Sequence, residues 1–136
     1  MLSIHPRWVE LILSGKKTIE LRRRGINPRH IGAEVIIYET SPTSAFVATC
    51  RITEILQAPL KELWTLAGKA SAVPEDLFHR YFADLQSGFG LRLEAARRLP
   101  EPVLLEAMRK RAKWHPPVSW CTISRDDLKR LMAGSD

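Results

Sequence analysis

Long apolar runs are missing from this chain. No stretch of the 136 residues reaches the ~20 consecutive apolar residues of a membrane-spanning helix. The opening "MLSIHPRW" also lacks the extended apolar core and small-residue cleavage site of a secretory leader, so the sequence reads as cytoplasmic with no membrane partner. Cysteine is scarce. Cys50 and Cys121 sit in apolar, strand-like runs without metal-type spacing, which predicts buried, reduced thiols. The four histidines (His5, His30, His79, His115) are dispersed, with no HxH or HxxxH pair, so no metal site is expected. Neither GxSxG, a Walker glycine loop nor GxGxxG occurs, which removes the enzyme classes those motifs mark and leaves no cofactor expected. Repeats, low-complexity tracts and linkers are absent too, so residues 1–136 read as a single domain.

What is present is an ordinary globular balance, 45% hydrophobic and 26% charged, with a net charge of +6. The location of that charge matters more than its size. Residues 1–30 hold seven Lys/Arg against Glu10 and Glu20, a local +5, while the other 106 residues hold 14 basic and 13 acidic groups. Within that remainder, 92–113 is again basic, including Arg109, Lys110, Arg111 and Lys113. If folding joins the two segments, they form one basic surface suited to a polyanion, nucleic acid first; otherwise the charge serves solubility.

The hydrophobic pattern alternates between helix and strand. His5-Pro6 opens a helix with Trp8, Leu11 and Ile12 on one face, and Gly15 ends it. Period two takes over from Lys17 to Arg24, with Ile19 and Leu21 on one face and Thr18, Glu20, Arg22 and Arg24 on the other. A loop over 25–32 precedes a predicted hairpin of strands at 33–40 and 45–56. Helices are expected from Pro59 to Gly68 and after Pro74, where Leu77, Phe78, Tyr81, Phe82 and Leu85 form a core stripe. Residues 88–99 read as a strand with Phe89, Leu91, Leu93 and Ala95 inward. A helix from Pro102, a last strand at 116–124 and a terminal helix capped by Ser124 complete the pattern. This order predicts an α+β, barrel-like fold: a curved mixed sheet with peripheral helices.

The stretch "SGKKTIELRRR" (14–24) holds far more polar chemistry than an interior strand needs. Glu20 and Arg22 share a strand face two residues apart, so they either pair with each other or act together on a ligand. Lys17 has the parity of Ile19 and Leu21, which sends it toward the interior, where it either snorkels to water or lines a cavity. The alternative is a solvated, charged edge strand that discourages edge-to-edge pairing. Ser119, between Pro117 and Trp120, is either a nucleophile or ligand hydroxyl, or a serine bonded to backbone. Trp114 and Trp120 flank the Pro-Pro corner as a base-stacking pair or as a corner clasp.

These residues resemble a known family. "SIHPRWVELILSGKKTIELRRR" looks like the opening of ASCH domains, small proteins of PUA-like β-barrel fold whose G-x-K-x-x-E-x-R signature is matched by Gly15, Lys17, Glu20 and Arg22. The likeness continues through "VIIYETSP", "ELW", "FGLRL" and "PPVSW". It implies a partly closed barrel with a cleft beside the motif that receives RNA or a modified base, and a role in translation, transcription or their regulation. On that resemblance Lys17, Glu20, Arg22 and Arg24 are the first ligand candidates, with Tyr38, Ser41 and Ser119 second. Some relatives are hydrolases. One branch removes the acetyl group of N4-acetylcytidine with a threonine three positions after the motif lysine; Glu20 stands there in this chain and Thr18 has the wrong spacing, which argues against that mechanism. A ribonuclease has also been proposed in the group, and would use Lys17 and Glu20, with Ser119 as a weaker candidate. Three readings follow: a noncatalytic RNA-binding module, a small hydrolase acting on RNA or a modified nucleoside, and a nucleotide-sensing regulator.

Overall fold

The computed structural model describes residues 1–112, 114–117 and 119–132. Strand β1 (Leu2–Ile4) was not predicted, because three residues are too few for a periodic signal. Helix α1 (Pro6–Leu13) forms where expected. Pro6 occupies its first turn, the Arg7 amide donates to His5 Nδ1 at 3.1 Å, and Gly15 turns the chain away at φ 81°. Strand β2 (Ile19–Arg22) is shorter than its pattern, and β3 (Glu34–Glu39) pairs antiparallel with β4 (Ala45–Pro59) as the predicted hairpin. Helices α2 (Leu60–Ser71) and α3 (Glu75–Tyr81) precede the long strand β5 (Ser87–Leu104), followed by α4 (Leu105–Arg111) and α5 (Arg125–Met132). The Asp127 amide donates to Ser124 Oγ at 3.0 Å, the expected cap of α5.

The strands form one sheet in the order β1-β3-β4-β5-β2, with β1 parallel to β3 and the other pairs antiparallel. Register breaks along β4 and β5 let these long strands bend. Ala95 sits at one such irregular stretch with φ 55° and is exposed, contrary to the inward position its alternation predicted. β5 also runs further than its pattern. Phe46↔Val103 and Ala45↔Leu104 keep residues 103 and 104 in the ladder, so α4 starts at Leu105 rather than at Pro102. The strand predicted at 116–124 reduces, among the described residues, to a single bridge between Leu2 and Trp120. Pro116 and Pro117 have no amide hydrogen to donate to a ladder. Val118 in that segment, and Lys113 on the predicted basic helix, lie outside the described residues.

The sheet does not close: among the described residues no backbone ladder joins its edges, β1 and β2. Its faces bury three apolar clusters. One lies beneath α1 (Ile4, Val9, Ile12, Leu91), one beneath α2 and α3 (Ile19, Leu21, Leu63, Phe78, Phe82), and one beneath α4 and α5 (Tyr38, Phe46, Met108, Leu131). Phe78 and Phe82 are core, as predicted, while Tyr81 is 38% exposed. Cys50 is buried and Cys121 half-buried. The fold brings the first part of the second basic segment onto the first, since β2 pairs with β5 (Ile19↔Arg92), while Arg109, Lys110 and Arg111 lie on α4, which packs against α5. It also neutralises part of them: Arg98 pairs with Glu10 of α1, and Arg92 Nε lies 3.4 Å from Glu54.

Candidate functional site

β2 is buried along its whole length, although two of its four side chains are Glu20 and Arg22. Isolated charges do not survive such burial, so partners must surround them. Glu20 is the centre. Its Oε2 lies 3.0 Å from Arg22 Nη2 and its Oε1 lies 3.4 Å from Lys17 Nζ, so one carboxylate bridges two cationic side chains. Lys17 is only 1% exposed. It also donates to the Ser71 carbonyl at 2.7 Å, and its ammonium sits 5.0 Å from the centre of the Trp8 ring.

Strand parity had grouped Lys17 with Ile19 and Leu21. The structure corrects this, because residues 17 and 18 precede the strand and their amides bond away from the sheet: Lys17 N to Leu11 O, and Thr18 N to Ala70 O. Freed from the pleat, the Lys17 side chain joins Glu20 on the opposite face. Burial lowers the Lys17 pKa from its ordinary value, against an opposing pull from the Glu20 carboxylate, and the Arg22 charge adds to the lowering.

Arg22 ties the two open edges of the sheet. From β2, its Nη2 donates to the Ser3 carbonyl of β1 at 3.0 Å, and its Nη1 donates to Ser119 Oγ at 2.8 Å. The segment holding Ser119 is itself docked on β1 through the Ser3 amide, 2.9 Å from Ser119 O. Arg22 Nε is buried and has no acceptor among the described residues. Orphaned buried donors are uncommon and call for an explanation.

A cleft of about 250 Å³ opens on this cluster. Lys17, Glu20 and Arg22 line one side with Ser3, His5 and Trp8, and α3 with the turn before it supplies Val73, Leu77, Phe78 and Tyr81. The Tyr81 hydroxyl lies 3.5 Å from the Leu21 carbonyl, and burial pushes its phenol pKa up. Of the residues singled out from sequence, Lys17, Glu20, Arg22 and Ser119 come together. Arg24 is exposed past the end of β2 and Ser41 is exposed in the turn after β3. Tyr38 is buried with its ring edge-on to Phe46 and Trp114, the latter at 5.8 Å, which places Trp114 in core rather than on a stacking surface. Trp120 meets His30 edge-on at 5.9 Å. Sequence reasoning missed His5, Trp8 and Tyr81 as cleft residues. The capping position of His5 was legible, but Tyr81 reaches the cleft from 60 residues away.

A sequence model of the ASCH domain matches residues 2–100 of the chain. The chain is similar to an ASCH domain-containing ribonuclease of Zymomonas mobilis, 26% identical over 134 residues that cover 98% of this chain and 89% of that protein. The crystal structure of ASCH from Zymomonas mobilis superposes with a TM-score of 0.87 at 27% identity, covering 96% of this chain and 90% of that one. A Tyr-to-Phe mutant of ZmASCH gives the same TM-score at 26% identity, covering 96% of this chain and 93% of that one.

Proposed function

The chain belongs to the ASCH domain family, and on that premise we propose that it is an RNA-binding protein whose ligand enters the cleft between α1, β2 and α3. The observation that carries this reading is the buried Lys17–Glu20–Arg22 cluster lining the cleft. A charged network so placed is costly for a purely structural role, since buried ion pairs are often no more stabilising than apolar side chains of the same volume. A guanidinium beside an oriented carboxylate suits a ligand that offers both an acceptor and an amine, as an unstacked nucleotide does. We read the curved sheet, drawn together at its edges by Arg22, as a partly closed PUA-like barrel with the cleft at its seam. Lys17 and Arg22 hold the Glu20 carboxylate in place. Exposed Arg7, Lys16 and Arg24 surround this part of the chain with positive charge for the phosphates. Tyr38 and Ser41 lie outside the cleft and have no part in this reading.

The test is an anisotropy titration of short labelled single-stranded RNA at several salt concentrations, with wild type, Lys17→Ala and Arg22→Ala, each variant first checked for a retained fold. Binding should weaken in the variants, and each neutralised phosphate should add roughly −0.7 to the log–log salt slope. Unchanged affinity in both folded variants for every RNA tried rejects the cleft as the site.

A second reading, cleavage of the bound RNA, is favoured by the relative's name as a ribonuclease and by the burial that makes the Lys17 ammonium easier to deprotonate. In this reading a 2′-hydroxyl attacks the adjacent phosphorus and its proton passes to Lys17. The bond to the 5′-oxygen breaks, that oxygen takes the proton from Lys17, and Arg22 stabilises the charge developing on phosphorus. The products are a 2′,3′-cyclic phosphate and a 5′-hydroxyl. Mass spectrometry of an RNA carrying a single 2′-deoxy position decides it: cleavage should stop at that linkage and vanish in Lys17→Ala.

A further inference from the structure

Helix α1 starts at the mouth of the cleft, and its first residues have already used their backbone donors. Pro6 has no amide hydrogen, the Arg7 amide donates to His5 Nδ1 at 3.1 Å, and the Trp8 amide donates to the His5 carbonyl at 2.9 Å. An anion arriving there therefore meets side chains rather than free amides. His5 is exposed and lines the cleft together with Glu20 and Arg22. Its cap settles the tautomer. A nitrogen that accepts a backbone N–H carries no proton, so the neutral ring bears its proton on Nε2. Among the described residues, Nε2 donates to nothing. The imidazole is thus anchored at one end by the helix and presents a fixed donor at the other.

We propose that His5 is a ligand-contacting residue of this cleft, donating its Nε2–H to a phosphodiester oxygen of the strand whose nucleotide occupies it. The inference rests on the RNA reading above and extends it by naming the phosphate contact at the mouth. Two features of the surroundings support a phosphate there. The Arg7 guanidinium is stacked 4.6 Å from the centre of the Trp8 ring, and Trp8 lines the same cleft, so positive charge lies against its wall. Within the cleft, the Arg22 guanidinium lines the wall and adds further positive charge. Glu20 is the carboxylate lining the cleft, and its two oxygens already face Lys17 and Arg22, so it does not oppose an anion at the mouth.

The two roles of His5 separate by substitution. In His5→Asn the side-chain oxygen can still cap α1, asparagine being a favoured capping residue, but the Nε2 donor is lost. In His5→Gln an amide N–H can reach the former Nε2 position while the cap is weakened. His5→Asn should weaken RNA binding about tenfold or more, with an unchanged melting temperature. The log–log salt slope should also be unchanged, because what is lost is one Nε2–H hydrogen bond. Arg7→Ala, by contrast, should flatten that slope by roughly 0.7. His5→Gln should bind within about threefold of wild type and melt at a lower temperature. Wild-type affinity in His5→Asn overturns the proposal, as does His5→Gln binding as poorly as His5→Asn. Failure of the wild type to bind RNA at any salt is a different result, which removes the RNA reading and this contact with it.

Discussion

Replacing Glu20 by glutamine keeps the shape of the side chain and removes the one negative charge between two buried cations. Lys17 is 1% exposed and Arg22 7%, and their distances to the Glu20 oxygens are 3.4 and 3.0 Å. At an effective dielectric of about 20 each contact is worth roughly 5 kcal/mol of gross attraction. Desolvation offsets much of that in the intact cluster. Deleting one partner does not return the desolvation of the others, and such deletions cost about 3–5 kcal/mol. That is a large share of the ~5–15 kcal/mol that stabilises a whole domain. With a urea m-value near 2 kcal/mol/M, the midpoint should fall by about 2 M. Losing the carboxylate also removes the influence that raises the Lys17 pKa, so part of the loss should be recovered as pH rises and Lys17 sheds its proton. The double variant Lys17→Met, Glu20→Gln should regain some stability by removing one stranded charge. A midpoint shift below about 0.5 M for Glu20→Gln, with no recovery at higher pH, would refute the view that this carboxylate holds the cluster together.

Lys17 itself should give a pH signature. Its folded pKa lies below the unfolded value of about 10.4, so between the two the unfolded chain binds more protons and stability rises with pH. Urea midpoints at pH 7 and pH 10 should therefore move upward in wild type relative to Lys17→Met; a pH-independent difference contradicts the burial cost. Cys50 acts in the opposite direction. Burial pushes its pKa up to about 12, so its contribution is intact below the unfolded thiol pKa and is lost as pH rises toward the folded one. From pH 8 to 10 wild type should lose about 1.5–2 kcal/mol more than Cys50→Ala, and iodoacetamide at pH 8 should label half-buried Cys121 well before Cys50. A methyl group added at Gly88 would overlap the ring of Phe82 and crowd Leu63 at 3.0 Å. Gly88→Ala should accordingly cost about 1–3 kcal/mol, visible as a lowered melting temperature.

Local pattern carried most of the secondary structure. The helix opened by His5-Pro6, the β3–β4 hairpin, the α2 and α3 helices and the Ser124 cap all depend on residues a few positions apart, which is the range over which propensity and capping act. Long-range pairing carried the rest. β5 continues to Leu104 because β4 lies beside it, β1 exists because β3 offers it a parallel edge, and Ala95 turns outward where the ladder is irregular.

The site divides along the same line. By itself the sequence determined that Glu20 and Arg22 share a face, since two-residue alternation is a property of any strand, and that polar side chains crowd a segment otherwise fit for burial. It also determined the family, through residues spread over most of the chain. Only the tertiary structure decided that Lys17 turns away from Ile19 and Leu21 to meet Glu20, that Ser3 and Ser119 receive Arg22, and that Tyr81 and His5 face the same cleft. The physical reason is that spacing along a chain fixes direction only while the backbone stays regular. Lys17 lies just outside β2, and Ser3 and Ser119, which receive Arg22, lie 19 and 97 residues from it; which groups satisfy a buried charge is settled by whatever the folded sheet brings within hydrogen-bonding distance.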